Sequence, residues 1–115
     1  MRTSAKVVAA AAVPVLATGT VAFAAAQQAA AYPNGGNGDY IGQGINIRSA
    51  PHLNATVKGL GYHGQGIHAS CYKAGDTVTA NGVQSNIWIL HQDAATGVSG
   101  DSSIDYLTFN GIPGC

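Results

Sequence analysis

The chain has 115 residues and a mass of 11.5 kDa; 46% of it is apolar, only 9% is charged, and the formal net charge is zero. One domain is expected at this length, and five Lys/Arg without a positive excess exclude the basic face that phosphate neutralisation requires. The five acidic residues are all Asp, which excludes Glu-based general acids and the His-Glu-x-x-His metalloprotease pattern.

Residues 1–31 read as an export signal. Arg2 and Lys6 precede a run of Ala and Val from Val7 to Ala26, and Ala29-Ala30-Ala31 supplies the small side chains that a signal peptidase accepts. Ala is weakly hydrophobic and Thr18-Gly19-Thr20 interrupts the run, so a membrane-spanning helix is the poorer reading. Cleavage is expected after Ala31, with Ala24 as the alternative. The remainder, residues 32–115, holds three basic residues (Arg48, Lys58, Lys73) against five Asp, a net charge of −2. A Gly-rich domain of this size is marginal by core burial alone and calls for a staple. Cys71 and Cys115 provide one, since a chain sent to an oxidising compartment pairs its cysteines. That bridge closes a loop of about 45 residues, worth about 4 kcal/mol in the chain-entropy model.

Tyr32 to Gly38 (YPNGGNG) reads as a flexible lead-in, and the folded domain is expected over residues 39–115. From there apolar and polar residues alternate and no helical period is sustained. Ile45-Asn46-Ile47-Arg48 alternates, Val57 to Tyr62 is a short Gly-containing run, and Ile67, Ala69 and Cys71 share one face. Lys73-Ala74-Gly75-Asp76 reads as a turn. Asn81-Gly82, between Thr77-Val78-Thr79-Ala80 and the next run, is a hairpin signal because both residues tolerate positive φ. Ile87-Trp88-Ile89-Leu90-His91 is apolar on both faces, as a central strand is. A last segment ends in Ile104 to Phe109. Gly42-Gln43-Gly44-Ile45 recurs as Gly64-Gln65-Gly66-Ile67, each before an alternating run, where Gly permits a sharp bend. The pattern predicts an all-β fold, a small barrel or sandwich of five to seven short antiparallel strands.

Ile45-Asn46-Ile47-Arg48-Ser49-Ala50-Pro51, continuing to Val57-Lys58-Gly59-Leu60, resembles the opening of a bacterial SH3-like (SH3b) domain. Gly75-Asp76-Thr77-Val78 is similar to that family's Gly-Asp turn, Trp88 to its Trp, and Ser103-Ile104-Asp105-Tyr106-Leu107 to its closing Ser-x-x-Tyr-Leu segment. The sequence departs from the family at Gly100-Asp101, where an aromatic is usual. A signal, one such domain and a terminal Cys together resemble small exported proteins of actinobacteria. The resemblance implies an SH3-like barrel and a non-catalytic binding module, secreted or cell-wall associated. It further implies a cell-wall (peptidoglycan-like) peptide or another exported protein as partner.

The residues themselves point to few reactive sites. Gly64-Gln65-Gly66-Ile67-His68-Ala69 fits the dinucleotide fingerprint, but a strand and not a helix follows it. His52, His63, His68 and His91 lack metal-ligand spacing and are expected on solvent-facing strands and loops. No Ser is framed as a nucleophile. No catalytic residue, metal or cofactor is therefore expected, and neither nucleic acid nor, after cleavage, membrane; the domain is expected to be a monomer. The aromatics are the binding candidates: Tyr40, Tyr62, Trp88 and Tyr106 are expected to line a shallow groove, flat area with hydrogen-bonding tips. An alternative is an exported inhibitor of an extracellular enzyme, presenting the loop of residues 49–56 or that of residues 93–99.

Overall fold

A computed structural model describes residues 31–115, which form one compact unit. The expected export signal lies, apart from Ala31, outside the described residues. Seven strands follow in chain order: β1 Gly38–Tyr40, β2 Gln43–Arg48, β3 Val57–Tyr62, β4 Ile67–Ala80, β5 Val83–Asp93, β6 Ser99–Ser103 and β7 Leu107–Phe109. Two single 3₁₀ turns, Pro33–Gly35 and Ile104–Tyr106, complete the described residues. All strand pairs are antiparallel, in one sheet of order β3-β2-β6-β5-β4-β1-β7. The all-β expectation holds. β3 and β7, at the two ends of that order, are not paired with each other, so the ladder itself is open.

The sheet nevertheless coils tightly. One core cluster takes Tyr40 from β1, Ile45 and Ile47 from β2, Ile67 from β4, Ile89 from β5 and Leu107 from β7. At Gly61 of the end strand β3, a Cβ would collide with the ring of Tyr40, five places away in the sheet order. Only a glycine lets β3 lie flat on that ring. The alternation that the sequence shows at Ile45 and Ile47 is thus the inner face of a curled sheet.

Two strands are longer than expected: β4 has 14 residues and β5 has 11, and they form one hairpin. Its tip is the Asn81-Gly82 turn, with φ of 54° and 76°, and Ala80 pairs with Val83. Two positive φ values match the turn to the strand twist, as the sequence implied. β5 is the fourth of seven strands in the sheet, and its neighbouring Trp88 and Ile89, on opposite faces, are both buried. The expected turn at Lys73-Ala74-Gly75-Asp76 is corrected to a bulge within β4, where the register jumps between the pairs Ala74–Ile87 and Val78–Ser85. Its cause lies far away in sequence. The loop of residues 49–56 folds over it, Asp76 N–H donates to Pro51 O at 3.0 Å, and any Cβ at Gly75 would strike Pro51.

The two Gly-Gln-Gly-Ile copies share geometry. Gly44 and Gly66 have φ of 71° and 76°, and each turns the chain so that Ile45 or Ile67 enters the core. The segment expected to be a flexible lead-in is hydrogen-bonded to the domain through the Asn34 and Asn37 side chains. The Asn37 side chain donates to Ala69 O at 3.1 Å and accepts from Ala69 N–H at 2.7 Å, and Asn37 N–H donates to Ile67 O at 3.0 Å. An amide side chain here copies a strand's two hydrogen bonds, which composition does not disclose. At the other terminus Cys71 and Cys115 are disulfide-bonded, as expected; the bond is compatible with an oxidising environment.

Candidate functional site

A cleft of about 280 Å³ opens beside the pinned loop. Trp88 and Val78 form part of its apolar lining, Tyr106 and Leu53 further walls, and Gln43, Asn46 and Arg48 its polar border. β2 positions the border by alternation: Ile45 and Ile47 are buried, so exposed Asn46 and half-buried Arg48 face outward. Trp88 is 2% exposed, and its indole N–H donates to Asp76 O at 2.9 Å. Tyr106 belongs to the 3₁₀ turn capped by Ser103, whose Oγ accepts Asp105 N–H at 3.2 Å. The Ser-Ile-Asp-Tyr segment is thus a capped turn between β6 and β7.

Leu53 is held by an acid. Asp76 Oδ2 accepts Leu53 N–H at 2.8 Å, and the His52 ring lies 3.2 Å from Asp76 Oδ1. The Leu53 N–H, and after it His52, keep the Asp76 carboxyl below its usual range. Arg48 donates from Nη1 to Ala55 O at 3.0 Å, and Ser49 N–H donates to Thr56 O at 2.8 Å. Residues 49–56 are thereby fixed at both ends and in the middle.

Of the four aromatics expected in one groove, the structure brings together Trp88 and Tyr106 in this cleft. Tyr40 is corrected to a core residue: it is completely buried, and it packs in the coil of the sheet where no surface ligand reaches it. Tyr62 is 41% exposed on the edge strand β3, outside the cleft lining. The sequence reading missed Arg48, Asn46, Gln43 and Leu53 as cleft residues. Outward alternation in β2 was the signal for Arg48 and Asn46; Gln43 has the parity of Ile45 and Ile47 and is exposed because the register shifts between Gln43 and Ile45.

The histidines divide. His52, His63 and His68 are exposed as expected, but His91 is corrected to a buried residue. Its Nδ1 lies 3.0 Å from Ile89 O, so Nδ1 carries the proton and donates. Nε2 then accepts the Tyr40 hydroxyl at 3.1 Å, with the two rings edge to face. Burial, and then the Asp93 carboxylate, push the Tyr40 hydroxyl well above the usual tyrosine value. Among the described residues Asp93 Oδ2 is buried without a hydrogen-bond partner. Burial likewise lowers the His91 pKa from 6.5, although the Ile89 bond and the Asp101 and Asp93 charges oppose it.

A pH dependence follows. The folded state holds His91 neutral at pH values where the unfolded chain binds a proton. Its contribution is complete above about pH 6.5 and is lost as the pH falls toward the folded value. Denaturant titrations between pH 7.5 and 5 are expected to show stability falling with acid, by up to about 1.4 kcal/mol per pH unit from this group. His91→Gln should flatten that slope; an unchanged slope would discount the role of burial.

Among the described residues no group of three or more His, Cys, Asp or Glu could hold a metal ion, and no helix is long and apolar enough to cross a membrane. Comparisons with protein-family models, with curated proteins and with solved structures find no match.

Proposed function

We propose that residues 32–115 act as an exported, non-catalytic SH3-like binding module that recognises a cell-wall peptide or another exported protein in the cleft over Trp88. The cleft carries this reading. Its lining combines an indole, a tyrosine and aliphatic walls with amides and one guanidinium, and includes no carboxylate, imidazole or thiol. Apolar walls with a few placed polar groups are the composition of a ligand-holding surface. The tight coil of the sheet and the sequence resemblance support the SH3-like assignment. The net charge of −2 disfavours anionic wall polymers and favours peptide parts of the wall.

The test is retention of protein expressed from the full chain on washed cell walls of its producer, at two salt concentrations. Saturable, salt-resistant binding is expected, falling at least about tenfold for Tyr106→Ala combined with Asn46→Ala, roughly the loss of two modest contacts. Retention equal to that of an unrelated secreted protein would overturn the reading.

The pinned loop favours a second reading, an inhibitor of an extracellular enzyme. Leu53 is 52% exposed at the tip of a segment already rigid, as an inhibitory loop must be. Under that reading, pull-down from conditioned medium recovers one enzyme in stoichiometric amount, and Leu53→Asp abolishes its recovery.

A further inference from the structure

We propose that the cleft selects peptides by a free C-terminal carboxylate, with Arg48 as the group that receives it. The inference rests on the cleft being a binding site and names the chemistry of its ligand.

Arg48 is the one charged residue in the cleft lining. The other two cations of residues 32–115 are placed elsewhere. Lys73 Nζ lies 2.9 Å from the buried carboxylate of Asp101, and Lys58 is on the edge strand β3. The acid nearest to Arg48 along the sheet, its register partner Asp101, is buried and faces Lys73, so the one charged side chain the cleft offers a ligand is a cation, which attracts an anionic group. The guanidinium is only partly used at home. One of its five N–H donors reaches Ala55 O at 3.0 Å, which fixes the side chain without filling its fork. A planar fork anchored in this way matches a carboxylate through paired hydrogen bonds.

The rest of the lining suits the last residues of a peptide. Trp88, 2% exposed and with its N–H committed to Asp76 O, forms the floor of the cleft and makes no polar contact with a ligand. Polar recognition therefore falls to Arg48 and to the Asn46 and Gln43 amides, whose side chains make no hydrogen bond within the described residues. Amides that both donate and accept fit a peptide group, and the apolar wall of Trp88, Tyr106 and Leu53 fits a small side chain. About 280 Å³ holds one or two residues of a peptide.

Trp88 is the only tryptophan in the sequence, which makes its fluorescence a reporter of this cleft. The experiment titrates protein expressed from the full chain with acetyl-Ala-Ala-Ala as the free acid, with the same peptide as its carboxamide, and with propionate. Saturation by the free acid at least fivefold more tightly than by the amide or propionate is expected, with the difference lost in Arg48→Gln and partly kept in Arg48→Lys. The comparison of acid with amide needs no variant, so a poorly folding Arg48 substitution leaves the test intact. Equal binding of acid and amide would overturn the carboxylate assignment and leave the cleft as a site. Propionate binding as tightly as the free acid would show a general carboxylate site and would also overturn it. Absence of binding by all three overturns the inference, and the binding-module reading falls with it only if wall retention fails as well.

Discussion

Replacing Cys71 and Cys115 together by Ser is expected to lower the unfolding midpoint by about 15–30 °C. The bridge joins residues separated by 44 positions, and closing a loop of that length stabilises by about 4 kcal/mol through the unfolded chain. In a domain of this size each 1 kcal/mol shifts the midpoint by roughly 4–8 °C. A second contribution is local. Tyr72 N–H donates to Pro113 O at 3.0 Å, Cys115 N–H donates to Tyr72 O at 2.8 Å, and Ile112 packs against the core. A tail of a few residues holds two such bonds poorly without a covalent anchor, so its amides should exchange fastest in the double variant. Circular-dichroism melts of the two proteins decide the matter. A midpoint within 5 °C of the parent would mean that the core alone, not the bridge, sets the stability.

That bridge was legible in the sequence because a chain with two cysteines has only one intramolecular pairing. The Asn81-Gly82 turn was legible for a different reason, since its chemistry is local: two adjacent residues that accept positive φ suffice. The double-sided apolar run of β5 likewise announced a central strand. What could not be read is long-range. Gly75-Asp76 carries a turn signature, but Pro51, 24 residues earlier, occupies the space beside it and makes it a bulge. Asn37 belongs to a run that reads as loop, and is hydrogen-bonded to Ala69, a partner 32 positions away. In the cleft the same division holds. Asn46 and Arg48 were recognisable as the outward face of β2, but only the coil of the sheet reveals that this face borders Trp88. Tyr40 was misplaced because tyrosine suits core and groove alike. Its hydroxyl needs a partner when buried, and His91, 51 positions away, supplies it.

Asp39 should prove a sensitive polar residue of the fold: Asp39→Ala is expected to cost about 2–6 kcal/mol, the range for stranding two buried backbone donors. Asp39 is 5% exposed, and its carboxylate organises the turn between β3 and β4. Oδ1 accepts the N–H groups of Tyr40 at 2.8 Å and Gly66 at 3.0 Å, and Gly64 N–H reaches Oδ1 and Oδ2 at 3.1 and 3.0 Å. His63 Nδ1 lies 3.3 Å from Oδ2 and donates to Tyr40 O at 2.8 Å. Alanine would leave donors of Tyr40 and Gly66 buried without acceptors, and each such group costs about 1–3 kcal/mol. The conservative variant separates charge from geometry. Asn keeps one acceptor oxygen where Asp has two, so Asp39→Asn should lose roughly half as much. Gly64 and Gly66, with φ of 97° and 76°, turn their N–H groups toward one point, and a carboxylate at that point is what keeps them converged. The same turn seats Ile67 in the core and lets β3 approach Tyr40, so its loss should spread from a loop to the coil of the sheet. Denaturant unfolding of the three proteins measures this. Equal stability of the Ala and Asn variants would show that the amide donors find other partners and that the turn holds by its glycines alone.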